Sequence, residues 1–403
     1  MGGWGEGDGG KRELYGKSST MFDQMSCTPP LRLPDAMWSI VFQLLEASWV
    51  EPRRHPIPPP MLVCKKWKEL ATPFLYRRFY LSVSDNRLNC FAKRLLSCPK
   101  YQQQVSTNAR YVYIGVDKEP PFEVSFVLDR MRSLVTVDLH GGAYELHILG
   151  ISCSATLRSL KFTVTANSCI AAAVHELGAL ENLHRLSFNA MHSRFDGAAY
   201  EDSPAELYLG CLHDLSVYVP NNLGHLDRLW HGSFPSLTHL HMPAAFRYGK
   251  SHQPLYTFLQ KHKAYISQLD VHICPTANEL LPGFECLKRL NIYSVLPHES
   301  SVAEWVDCFI HLPASVYYVS PVLLGHHSDH TVLTELLDGL VATGKRLRFK
   351  RLLLNLSWSQ LILDSSPKLN HYLAFARRME QELGVVVVDQ KGMQLRLDRP
   401  NDG

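Results

Sequence analysis

One small pattern recurs along this chain of 403 residues and sets the terms for any fold it can adopt: apolar-x-x-apolar-x-apolar. It reads Leu134/Val137/Leu139, Leu157/Leu160/Phe162, Leu183/Leu186/Phe188, Leu212/Leu215/Val217, Leu237/Leu240/Met242, Ile266/Leu269/Val271 and Leu287/Leu290/Ile292. The first members lie 23, 26, 29, 25, 29 and 21 residues apart. In a short strand, residues two apart share a face. The second and third apolar positions therefore point inward together, the residue between them points the other way, and the first packs at the strand's start. Between the strands, helical patterns fall at 170–177, 255–263, 302–310 and 331–340. Strand followed by helix or irregular return, repeated, predicts an α/β body of stacked β–α units. Looser copies extend it, with Ala109/Val112/Ile114 before and Val316/Val319/Pro321 and Phe349/Leu352/Leu354 after.

The pattern and its period resemble leucine-rich repeats, whose units run to about 20–29 residues. The resemblance is partial. The usual Asn or Cys three residues after the last apolar position is replaced by Gly142, Thr165, Met191, Pro220, Ala245 and Val295, and only Cys274 fits. Turns of unequal length, and so an irregular solenoid over 101–398, are expected. Its end reads as a capping unit: a helix carrying Leu369, Tyr372, Leu373, Ala376, Met379 and Leu383, stopped by Gly384, then a buried strand at 385–388 and an alternating Met393, Leu395, Leu397.

Two columns of residues should stack across the outward, concave face of the strands, about 4.8 Å apart from strand to strand. One is His140, Thr163, Asn189, Tyr218, Pro243, His272 and Tyr293; the other is Asp138, Lys161, Ser187, Ser216, His241, Asp270 and Asn291. Tyrosine and histidine combine contact area with hydrogen bonding, which suits protein recognition. Tyr218, His241, His272 and Tyr293 are accordingly the candidate target-binding residues.

Ahead of the repeats, 29–80 reads as a compact helical module. Pro34 suits a first helical position. Met37, Ile40, Val41 and Leu44 follow at i, i+3, i+4, i+7, and Trp38, Phe42 and Leu45 widen that stripe. An apolar arc so wide needs a core of its own and something further to pack against. After a proline-rich interruption at 51–60, a second helix carries Val63, Cys64, Trp67, Leu70 and Ala71. Thr72-Pro73 then predicts a third, short helix with Phe74, Leu75 and Tyr76.

In order and spacing, Leu33-Pro34, Ile40-x-Phe42, Leu45, Val63-Cys64-x-x-Trp67-x-x-Leu70-Ala71 and Pro73-x-Leu75-Tyr76 resemble the F-box motif in its fungal form, over about fifty residues. The resemblance implies that Leu33, Pro34, Ile40, Phe42, Val63 and Trp67 contact the adaptor subunit of a cullin–RING ubiquitin ligase. The repeats would then hold a target protein, making the chain a substrate receptor of the SCF type. The long join with Pro52, Pro56, Pro58, Pro59 and Pro60 departs from many F-boxes. The rival reading is a ligase-independent scaffold whose helical module only caps the solenoid.

The remaining segments are a Gly-rich tail at 1–28, expected to be disordered, and a connecting segment at 81–100. There Asp85 is expected to cap a helix with Leu88, Phe91, Ala92, Leu95 and Leu96 on one face, after an extended link at 79–83. Net charge of +3 argues against nucleic acid as the main partner. The opening residues lack the pattern of a secretory signal and no apolar run reaches membrane-spanning length. With ten cysteines and no C-x-x-C pair, neither zinc nor a disulfide framework is indicated, so a cytoplasmic or nuclear protein is expected. His326, His327 and His330 cluster with Asp329 in a stretch that reads as a loop, and they are not assigned a metal. No motif of a hydrolase, metalloprotease or nucleotide-binding loop occurs. No enzyme activity, cofactor or metal is expected.

Overall fold

The computed structural model describes residues 34–48, 64–84, 86–116, 120–165, 168–190, 206–218, 226–242, 253–272, 279–294, 302–323, 330–364, 366 and 368–394. The expected disordered tail, the proline-rich interruption, Leu33, Val63, Asp85, Pro243, the 326–329 part of the histidine cluster, Leu395 and Leu397 lie outside these residues. The chain divides into two units, Met1–Thr72 and Pro73–Gly403.

In the first unit, α1 spans Asp35–Ser48 and α2 begins at Lys65 and runs to Leu75. Pro34 stands just before α1, and its carbonyl accepts from the amides of Met37 and Trp38. The core is aromatic. Trp38 and Trp67 lie 4.4 Å apart between ring centroids, Phe42 and Trp67 5.7 Å, and Trp38 and Phe42 6.1 Å. Phe42 is fully buried. The Asp35–Lys66 ion pair at 2.7 Å joins the two helices across an exposed surface, where such pairs contribute little.

The predicted third helix is the last turn of α2 instead. Thr72 does not cap a new helix, because its hydroxyl bonds back to the Lys68 carbonyl at 2.6 Å. Pro73 is tolerated inside α2 since the helix ends two residues later, so the proline removes a single bond, the one Glu69 would have accepted.

The second unit is built on one 12-stranded sheet in which every strand neighbours its sequence neighbour and all strand pairs are parallel. Its strands are β1 Arg78–Ser82, β2 Tyr111–Gly115, β3 Thr136–Gly141, β4 Ser159–Val164, β5 Arg185–Asn189, β6 Asp214–Tyr218, β7 His239–Met242, β8 Gln268–His272, β9 Arg289–Ser294, β10 Tyr318–Leu323, β11 Arg351–Leu353 and β12 Val386–Val388. Alternation with helices makes it a leucine-rich-repeat-like solenoid. All seven apolar triplets are buried. Their middle members, Val137, Leu160, Leu186, Leu215, Leu240, Leu269 and Leu290, stand in one row that continues to Val319 and Leu352, because each pairs with the next in register.

The predicted inter-strand helices form at Ile170–Glu176, Gln253–His262, Val302–Ile310 and His330–Ala342. Their aromatic side chains close the layers, as Trp230 against Phe258 at 5.5 Å and Phe309 against Phe349 at 5.4 Å.

Two elements expected outside the repeats belong to them. The extended link at 79–83 is β1, paired with β2 along five residues from Arg78↔Tyr111 to Ser82↔Gly115. The connecting helix, at Arg87–Ser97, buries Leu88, Phe91, Ala92 and Leu95 in the same core and leaves Leu96 exposed. The repeat body therefore starts at β1 rather than at residue 101. A link read from composition alone looks the same as an edge strand whose partner lies some thirty residues on, roughly one repeat away.

At the other end, the helix Leu369–Leu383 stops at Gly384, whose φ of 68° is the left-handed conformation that glycine adopts freely. β12 follows at once. Asp389, fully buried, then accepts from the amides of Lys391 and Met393 and holds the terminal turn, on which the Trp358 indole N–H also rests through the Met393 carbonyl at 2.9 Å.

Candidate functional site

The outward face of the sheet carries one column whole, and of the other it pairs His140, Thr163, Asn189 and Tyr218 in register and, further on, His272 with Tyr293. Asp138, Lys161, Ser187, Ser216, His241, Asp270 and Asn291 pair one to the next, and the row continues to Tyr113 on one side and Ser320 on the other. Toward the middle of this face the side chains stop being independent. The Tyr218 hydroxyl lies 2.6 Å from His241 Nε2, His241 Nδ1 lies 2.6 Å from Asp270 Oδ2, and Asn291 Nδ2 donates to Asp270 Oδ1 at 2.7 Å. Tyr293 meets the His241 ring edge to face at 5.6 Å. Strand spacing explains the chain of contacts: Asp270 lies directly opposite His241 in register, and Tyr218 is its diagonal neighbour, two residues past Ser216, so the histidine can reach both at once.

Protonation follows from these surroundings. Burial, and then the charges of Asp270 and Asp214, push the Tyr218 phenol above its ordinary value. Tyr218 therefore keeps its proton, and beside a neutral imidazole it donates to His241 Nε2 while Nδ1–H donates to Asp270. Burial pushes Tyr293 up to about 12, with the Asp270 charge adding to it. Asp270 and Asn291 are almost wholly buried although they belong to the outward column. Buried polar groups have to be hydrogen-bonded, and here the Asp270 carboxylate accepts from His241 and Asn291 together.

The arrangement is a hydrogen-bonded network on the outward face of β6 to β9. Tyr218, His241 and Asp270 form one hydrogen-bonded line of phenol, imidazole and carboxylate. What the site offers is two tyrosine edges and a histidine locked in place, with little side-chain freedom left to lose on binding.

Of the four candidate target-binding residues, Tyr218, His241 and Tyr293 come together. His272 pairs with Tyr293 in register, and its side chain is outside the described residues. Asp270 and Asn291 were visible in the sequence as members of the column but not as the pair that locks His241. The signal for them was an acid placed one strand from a histidine at the same register.

The adaptor-binding candidates separate into two groups. Pro34 is exposed and Ile40 is 51% exposed, both open to a partner. Phe42 at 0% exposure is not open: with Trp67 it forms the internal packing of the module, because the helix turns its Trp38–Phe42 flank inward and not the 37/40/44 stripe. That stripe, Met37 at 46%, Ile40 and Leu44 at 70%, faces solvent.

Among the described residues no group of three or more His, Cys, Asp or Glu is placed to hold a metal ion, and no helix is long and apolar enough to cross a membrane. No family model matches the chain, and no curated protein matches it. A solved structure similar to it is the leucine-rich repeat-containing protein LegL7 from Legionella pneumophila, at 14% identity and a TM-score of 0.44, covering 79% of this chain and 92% of that one. At that identity and score the likeness carries no argument; the repeat fold rests on the strand order and register described above.

Proposed function

We propose that this chain is a non-catalytic recognition subunit whose repeat sheet captures a target protein and whose helical module docks on the adaptor subunit of an SCF-type cullin–RING ubiquitin ligase. The observation that carries the docking half is the solvent-facing stripe Met37, Ile40 and Leu44, at i, i+3, i+7, on a helix whose opposite flank is pinned by Trp38, Phe42 and Trp67. An apolar helix face held rigid and left open suits insertion against a partner's groove. On this reading Pro34, Met37, Ile40 and Leu44 touch the adaptor, Leu33 precedes them, and Phe42 and Trp67 act by setting the angle of α1. The Tyr218–His241–Tyr293 surface supplies rigid aromatic anchors for the target. The chain would do no chemistry itself; it would raise the effective concentration of the target near a ubiquitin-charged enzyme. A cytoplasmic or nuclear setting suits this reading.

The test is calorimetric titration of the full chain with the purified adaptor. Ile40→Asp together with Leu44→Asp is expected to abolish binding while the thermal melt is unchanged. A wild-type chain that gives no heat with the adaptor sinks the docking half and leaves a ligase-independent scaffold. Replacing Tyr218, His241 and Tyr293 by alanine together is expected to lower target capture without touching adaptor binding.

A further inference from the structure

The last strands of the sheet carry a second surface that the recognition network does not use. At the N-terminal ends of β9, β10 and β11, register places Arg289, Tyr318 and Arg351 side by side on the outward face, and the amides of Tyr317 and Tyr318 bond to the Lys288 carbonyl as those of Lys350 and Arg351 bond to the Tyr317 carbonyl. Lys288, Tyr317 and Lys350 therefore form an adjacent exposed row. Two cations flank a tyrosine in each row.

The Arg351 guanidinium is held in place. It lies 5.6 Å from the centroids of both the Tyr317 and Tyr318 rings and donates to the Tyr318 hydroxyl at 3.2 Å. Among the described residues, Lys288, Arg289 and Lys350 have no carboxylate partner. The neighbouring acid on β8, Asp270, is already taken by His241 and Asn291. Across the three segments 284–290, 315–319 and 345–352 there are seven lysines and arginines and one acid, Glu285. The cations of 345–350 are exposed while Leu347 and Phe349 between them are buried, so the fold itself drives this positive charge to one edge.

We infer that this edge binds a short acidic peptide segment of a partner protein. Fixed arginine stacked on tyrosine is the composition of protein-binding hot spots, and a patch of one sign on a chain of net charge only +3 steers an oppositely charged partner. Nucleic acid is the less favoured occupant, since the cations span only three strands, about 10 Å between β9 and β11, too short a stripe to track a phosphate backbone over many phosphates. The inference does not depend on adaptor docking, which uses α1 alone.

The experiment is fluorescence anisotropy of the full chain with a labelled ten-residue poly-glutamate peptide, a poly-glutamine peptide of equal length, and a ten-nucleotide single-stranded DNA. Binding of the glutamate peptide alone is expected, weakening at least tenfold in Arg289→Glu/Arg351→Glu and at least threefold in the milder Lys288→Gln/Lys350→Gln, with melting temperatures held within a few degrees. The inference is overturned if the glutamate peptide does not bind, if both variants bind it as the parent does, or if the DNA binds more tightly than the peptide.

Discussion

The helical module and the repeat body solve the same problem, hiding apolar side chains, with different completeness. In the body each strand lends its neighbour a wall, so every member of the seven triplets is at most 2% exposed. In the module two helices share one aromatic cluster, and among the described residues half of the apolar arc of α1 is left open. The difference teaches where to look for partners. The triplet residues of the body are accounted for by the next repeat, whereas Met37, Ile40 and Leu44 have no such cover among the described residues.

This contrast can be broken most severely in the middle of the body. Phe188→Ala removes a ring fully buried and tilted against Phe162, with centroids 6.0 Å apart, and is expected to cost about 3–5 kcal/mol in denaturant unfolding. A cost under about 1 kcal/mol would mean that the layers do not support one another. Next in size, Asp270→Asn turns one of the two acceptor oxygens into an NH2 donor, so His241 and Asn291 can no longer both donate to it, with an expected loss of about 1–3 kcal/mol. Gly384→Ala forces a Cβ into the left-handed region and should cost about 1 kcal/mol. Smallest of all, Ile40→Asp should leave stability within about 0.5 kcal/mol, as for other surface changes. A large loss there would show that the stripe is already covered.

Alkaline pH sharpens the same contrast. Burial pushes Tyr101, Tyr111 and Tyr293 each up to about 12, whereas an unfolded tyrosine titrates near 10. Between those values the folded body keeps protons that the unfolded chain has lost. Its stability is therefore fully present below about pH 10 and falls as pH rises toward about 12. The stretch 34–72 contains no tyrosine, so in the module only the exposed Asp35–Lys66 pair, which raises the Lys66 pKa, loses stability in this range, and by little. Unfolding midpoints measured from pH 9 to 12 check it, and Tyr293→Phe should flatten the slope. An unchanged slope in that variant would mean that Tyr293 is not shielded as described.

Much of the body was legible from its residues. The triplets gave strand positions and facing, since period-2 burial leaves no alternative once Leu160, Leu186 and Leu215 must share a row. The start of the sheet was not legible, because Arg78–Ser82 has the polar and aromatic mix of an edge strand, and only its pairing with β2 declares it. In the module, periodicity identified the apolar arc but not which side of it turns inward. That choice was made by Trp67, which docks on Trp38 and Phe42, and a contact between separate helices leaves no trace in the spacing of either one. At the site, columns could be read but bonds could not. His241 gains its meaning from Tyr218 and Asp270, one repeat away on either side.

Because strand order equals chain order, the sequence is a ruler for the sheet's face. Tyr218 and Tyr293 are three strands apart, so about 14 Å of backbone spacing across the sheet corresponds to three full repeats of chain. A partner that lies across the strands is thus read out at intervals of one repeat. Substitutions made repeat by repeat at a single register position would trace its path and the direction in which it runs.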